Sequence, residues 1–112
     1  MIPRTLRLPR QRIDYLFRKG KKLGNDSFTI RFIPSFKLEK PVNRFCVVIS
    51  SALEPLAVKR NRLRRRIYEI IRLHPDSTPA GLDIIIIGKK PLTKLSFDRI
   101  SANLTTLLKK LG

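Results

Sequence analysis

An α+β fold is what this sequence predicts: a small domain with helices on one face of a mixed sheet, in the order α-β-β-(β)-α-β-α. Three observations carry that reading. Leu56, Leu63, Ile67, Ile70 and Ile71 recur at helical spacing, and so do Phe97, Ile100, Leu104, Leu107, Leu108 and Leu111. Phe28, Ile30 and Phe32 alternate with Thr29, Arg31 and Ile33, the period-two pattern of a half-buried strand. Asp83-Ile84-Ile85-Ile86-Ile87 is apolar on both faces, as a central strand must be. The 112 residues, 42% of them hydrophobic, suffice for one core, so a single domain spanning 1–112 is expected.

Each element has a local reason. Residues 1–10 are basic, carry Pro3 and Pro9, and read as an extended arm. Gln11 to Lys19 forms a short helix with Ile13, Leu16 and Phe17 on one face, and Gly20 stops it. The strand from Phe28 ends at Pro34, and Ser35 to Asn43 is a polar loop with Lys37, Lys40 and Pro41. Arg44 to Ser50 is a second, mostly buried strand. Ser51 to Leu56 connects it to a helix from about Ala57 to Leu73, with Asn61, Arg65, Tyr68 and Arg72 opposite its apolar stripe. Arg60 falls close to the apolar arc, where the packed stripe runs out and a groove begins. Pro75 to Gly81 is a loop, and Gly88-Lys89-Lys90-Pro91 leaves the sheet. Ser96 caps the last helix, which has Asp98 early and Lys109 and Lys110 late, as its dipole prefers.

Charge points to the partner. The chain holds 25 Lys and Arg against 8 Asp and Glu, a net charge of +17. Such a surface repels itself and calls for a polyanion. The densest cluster is Lys59, Arg60, Arg62, Arg64, Arg65 and Arg66, with Asn61 among them, at the start of the middle helix. The helix N-terminus is itself partly positive, and Arg60/Arg64 and Arg62/Arg66 are like charges four residues apart. Only Glu69 is in i,i+4 reach, of Arg65, so a face of solvated salt bridges does not account for the run. A nucleic-acid backbone does. No apolar run is long enough to cross a membrane, and no hydrophobic signal core follows Met1, so cytoplasmic residence is expected. The single Cys46 excludes an internal disulfide and a multi-thiolate zinc site, and reads as a small buried hydrophobe.

No catalytic constellation is visible. His74 is the only histidine and sits at a helix end before Pro75. The acids Asp14, Asp26, Glu39, Glu54, Glu69, Asp76, Asp83 and Asp98 are scattered singly, without the carboxylate pairing of a two-metal nuclease. Neither catalytic nor metal-binding residues are expected, nor a small-molecule substrate. Phe17 is either core beside Ile13 and Leu16 or a stacking surface for a base. Phe28 and Phe32 are core. Asn61 caps the helix or bonds to a partner.

The run Ala57-Val58-Lys59-Arg60-Asn61-Arg62-Leu63-Arg64-Arg65 resembles the signature of the bacterial ribonuclease P protein family, in which an Arg-Asn-Arg triplet opens a helix. Leu16-Phe17-Arg18-Lys19-Gly20, Arg44-Phe45, the stretch from Asp83 to Pro91 and Leu95-Ser96-Phe97 follow in the family's order. The resemblance implies a non-catalytic protein subunit whose RNA partner hydrolyses precursor tRNA with Mg²⁺ and releases the 5′ leader. It implies that Lys59, Arg60, Asn61, Arg62, Arg64, Arg65 and Arg66 bind that RNA. It further implies that Phe17, Arg31 and Arg44 line a cleft for the leader, and that an uncommon left-handed crossover surrounds the basic helix. The chain departs from the family pattern at Ile13 and Arg31, where aromatics are usual, at Tyr68, where a basic residue is frequent, and in the connector Ser51-Ala52-Leu53-Glu54-Pro55-Leu56. A cleft binding more by charge than by stacking is expected from these changes. The alternatives are a structural RNA-binding protein of ribosomal type, and an autonomous nuclease using His74.

Overall fold

A computed structural model describes residues 8, 10–34, 43–74, 81–89, 92 and 95–111. The rest of the basic arm, the loop over 35–42, the loop over 75–80 and the sheet exit at Lys90-Pro91 lie outside the described residues. In chain order the elements are α1 (Arg10–Lys19), β1 (Lys21–Gly24), β2 (Phe28–Pro34), β3 (Arg44–Val48), α2 (Ala57–Leu73), β4 (Leu82–Gly88), α3 (Phe97–Leu108) and a closing 3-10 turn (Lys109–Leu111).

The four strands form one sheet in the order β1-β2-β4-β3. β1 pairs antiparallel to β2 and β2 antiparallel to β4, while β3 runs parallel to β4, with α2 as the crossover between them. Central placement of β4 follows from its composition, since Ile84, Ile85 and Ile86 are all fully buried. β1 is a strand with no apolar alternation of its own. Lys21-Lys22-Leu23-Gly24 pairs because a tight turn folds it back on β2, where Asn25 Oδ1 accepts from the Ser27 and Phe28 amides at 2.9 and 2.8 Å.

The helices do not share one face of the sheet, and this corrects the expected layering. Phe28, Ile30, Phe45, Val47, Ile84 and Ile86 point to the side where α2 supplies Leu63, Ile67, Ile70 and Ile71 and α3 supplies Ile100, Leu104, Leu107 and Leu108. Ile33, Cys46, Val48, Ile85 and Ile87 point to the other side, under Leu16 and Ile13 of α1 and under Leu8. A two-residue period makes every apolar run with two buried faces serve both layers. Gly20 ends α1 as expected. Its N–H donates to the Leu16 carbonyl at 2.9 Å, and a Cβ there would lie 2.6 Å from the same oxygen.

β3 is an edge strand, and two of its outer backbone groups are partnered. Leu8 N–H donates to the Phe45 carbonyl at 3.1 Å, and Val47 N–H donates to the Tyr68 hydroxyl at 3.3 Å. Tyr68 therefore faces the sheet rather than lying opposite the apolar stripe. Leu56 also moves: it is the N-cap residue of α2 and 56% exposed, so the packed stripe begins at Leu63. Ser96 caps α3, accepting from the Arg99 amide at 3.2 Å.

Candidate nucleic-acid interface

Two surfaces carry the functional candidates. The first is α2. Lys59, Asn61, Arg62, Arg65 and Arg66 are exposed, while Arg60 and Arg64 are half-buried. No acid lies in the first turn, and the Leu56 cap supplies no side-chain bond to the free amides. The relief comes from the connector. Glu54 is buried and its Oε1 accepts from the Leu56 amide at 3.2 Å, placing a carboxylate near the positive end of the helix. Arg60 Nη1 donates to the Glu54 and Pro55 carbonyls, both at 2.8 Å. Arg60 thus braces the connector, while Arg62, Arg65 and Arg66 project outward. Asn61 does not cap the helix: its Oδ1 accepts from Arg64 one turn on. Glu69 pairs with Arg72 rather than with Arg65. That ion pair lowers the Glu69 carboxyl and raises the Arg72 guanidinium. It leaves the cationic first half of the helix without an ion pair among the described residues.

Arg60, Arg64 and Tyr68 recur at four-residue spacing, so they form one row along the helix. Tyr68 holds the outer edge of β3, and Arg64 lies close enough to Cys46 of β3 for its charge to act on the thiol. Burial pushes the Cys46 thiol up, Arg64 pulls it down, and burial wins. Cys46 itself lies on the face that bears α1.

That face is the second surface. Phe17 is 42% exposed, so it leaves the packed side of α1 to Ile13 and Leu16 and offers its ring to solvent. Arg31 of β2 donates through Nη1 to the Phe17 carbonyl at 3.0 Å, with its guanidinium carbon 5.8 Å from the Phe17 ring centroid. Across the sheet, Arg44 of β3 meets Asp83, the first polar residue of β4. Nε donates to Oδ1 at 2.8 Å and Nη2 to Oδ2 at 2.9 Å. Arg12 of α1 donates to the same Oδ2 at 2.6 Å and lies 4.9 Å from the Tyr15 ring centroid. Complete burial of Asp83 pushes its carboxyl up, but the two arginine bonds and charges outweigh burial and hold it below the usual carboxylate range. The same bond raises Arg44.

Asp83 is the hub joining α1, β3 and β4, a role that its sequence context does not single out. A signal exists all the same: one acid opens an otherwise all-isoleucine run. His74 ends α2, donating its amide to the Ile70 carbonyl at 3.1 Å, and its ring is exposed with Ser101 Oγ 3.4 Å away. No acid or base partner joins it among the described residues. Among those residues, no group of three or more His, Cys, Asp and Glu could hold a metal ion, and no helix is long and apolar enough to cross a membrane.

Known proteins share this architecture. A family model described as Ribonuclease P matches residues 2–112. The ribonuclease P protein component of Synechococcus elongatus is 38% identical over 94 residues, covering 81% of this chain and 76% of that protein. The one from Bacillus cereus is 30% identical over 97 residues, covering 87% and 82%. Among solved structures, the ribonuclease P protein from Thermotoga maritima superposes with a TM-score of 0.84 at 29% identity, covering 95% of this chain and 97% of that one. The Staphylococcus aureus protein, at 24% identity and a TM-score of 0.82, shares the fold. The basic helix, the two-sided sheet and these matches over nearly the full length place the chain in the bacterial ribonuclease P protein family.

Proposed function

We propose that this protein binds the catalytic ribonuclease P RNA through α2 and holds the 5′ leader of precursor tRNA on the α1 face of the sheet, promoting removal of the leader. Membership in the family brings an RNA partner in a ribonucleoprotein, and the ribosomal alternative is not favoured. The observation that carries the proposal is the exposed side of α2. Lys59, Arg62, Arg65 and Arg66 stand in solvent, Lys59 in the first turn against the helix dipole, with no salt bridge to any of them among the described residues. Asn61 and Arg64 form a bonded pair beside them, and Arg60 acts by fixing the start of the helix. For the leader, Phe17 offers an aromatic face and Arg31 a guanidinium against it, while Arg44 lines the far end beside Arg12.

Mg²⁺ belongs to this reading as an ion held mainly by the RNA. When bound there it supplies charge neutralisation and activates the attacking water. The protein's part is to neutralise phosphates and position the strand. Cytoplasmic residence goes with this role.

The test is reconstitution with a ribonuclease P RNA and precursor tRNA across a Mg²⁺ series. The protein should stimulate 5′ cleavage most at low Mg²⁺ and should cleave nothing alone. Absence of stimulation at every Mg²⁺ concentration would overturn the proposal. Cleavage by the protein alone, lost in His74→Ala, would instead support an autonomous nuclease.

A further inference from the structure

The β1 edge of the sheet holds a pair of cations, Lys22 and Arg31, with no acidic partner among the described residues. In the antiparallel register Lys22 stands directly opposite Arg31, and Leu23 opposite Ile30. Side chains directly opposite each other project from the same face. Leu23 and Ile30 belong to the core under α2 and α3, so Lys22 and Arg31 point to the α1 face. The bond from Arg31 to the Phe17 carbonyl agrees with that placement.

Directly opposed like charges destabilise a strand pair. Their Cβ atoms stand about 5 Å apart, so the two cationic side chains leave the sheet from adjacent positions on one face. No acid offsets them: among the described residues the salt bridges involve only Asp83 and Glu69, and both of these are engaged elsewhere. Lys22 is exposed, and no ion pair holds it among those residues. The pair continues directly from the exposed Phe17 ring, over which the Arg31 guanidinium lies. Arg18 and Lys19, both exposed, close the end of α1 beside it.

We infer that Lys22, acting with Arg31, is a phosphate-binding site for the single-stranded 5′ leader beyond the Phe17 ring, carrying the strand off the cleft along β1. The inference rests on the leader-binding role proposed above. The bound chemistry is a flexible phosphodiester backbone. It could come from the leader or from the RNA subunit, and the arms of the experiment separate these sources.

Lys21 supplies the control. It has the same charge on the same strand but stands opposite Phe32, whose side chain packs into the α2/α3 core, so it points to the other face. Lys22→Gln and Lys21→Gln holoenzymes are compared for affinity toward three ligands across a salt series. These are precursor tRNA with a leader long enough to pass the cleft, precursor truncated close to the cleavage site, and mature tRNA. For the long-leader precursor only, Lys22→Gln should weaken binding several-fold and lower the log K against log salt slope by about 0.7, the contribution of one single-strand phosphate. Lys21→Gln should change none of the three. Equal losses from both variants, or an equal loss for mature tRNA, would assign Lys22 to general attraction or to the RNA subunit and overturn the inference. Long-leader affinity that exceeds mature-tRNA affinity in the unmodified holoenzyme, yet ignores Lys22→Gln, would overturn it while leaving the leader-binding role intact. If the unmodified holoenzyme shows no leader-dependent affinity, the earlier proposal fails and takes this one with it. An unchanged melting temperature in Lys21→Gln and an unchanged or slightly raised one in Lys22→Gln would show that the fold is intact.

Discussion

Asp83 is the residue on which the α1 face turns. Its carboxylate is fully buried and accepts three hydrogen bonds from two arginines on different elements. An isolated buried charge is costly, and a pair broken on one side leaves that cost uncompensated. Asp83→Asn removes the charge and keeps the shape. It should lower unfolding stability by about 3 kcal/mol, the low end of the range for breaking a buried pair, since both arginines are partly exposed. Urea titration measures it. The pH dependence has a definite sign. The folded Asp83 carboxyl lies below its unfolded value, so its contribution is complete above the unfolded value of about 4 and disappears as pH falls through the folded one. Asp83→Asn should therefore flatten the acid limb of the stability curve and leave its shape near neutrality unchanged. An acid limb of undiminished steepness in the variant would assign acid unfolding to other carboxylates.

At the scale of elements, α2 divides its arginines by role. Arg62 and Arg66 are exposed like charges four residues apart, a spacing that costs a few tenths of a kcal/mol. Arg60 donates to two carbonyls of the connector. The double variant Arg62→Ala/Arg66→Ala should keep or slightly raise the melting temperature. It should also lower the salt slope of RNA binding by about 0.7–0.9 for each phosphate that is no longer neutralised. Arg60→Ala should lower the melting temperature, because hydrogen bonds from a charged donor contribute about 1.5–3 kcal/mol when buried and less at this half-exposed site. Calorimetry and filter binding on both variants check the division. Equal thermal losses would erase it.

The same helix shows what is readable from sequence. Its span from Ala57 to Leu73 follows from Leu63, Ile67, Ile70 and Ile71, and the central strand from four consecutive isoleucines. β1 is not readable, because two lysines and a glycine carry no alternation and its pairing comes from the turn at Asn25. The side of the sheet taken by α1 is not readable either. Amphipathic spacing says that a helix buries one face, but β2, β3 and β4 offer apolar residues on both sides. Among site residues, the exposed cations of α2 are legible from charge alone. Phe17 needs the fold to separate it from Leu16, and Arg60 needs it to reveal a carbonyl brace.

The whole molecule carries +17 on 112 residues, so the folded state works against its own field. Raising monovalent salt from about 0.01 to 0.15 M shortens the screening length from about 30 to 8 Å. The melting temperature should rise over that range, and it should rise further when a cognate RNA binds only the folded chain. A melting temperature that falls with salt would mean that attraction, chiefly at Asp83, outweighs the surplus repulsion. Both edges of the sheet are closed to further strands, one by the lysines of β1 and the other by Leu8 and Tyr68 on β3. A newly made chain waiting for its RNA is thereby kept from polymerising edge to edge, and what docks onto it is selected by negative charge rather than by an extended peptide backbone.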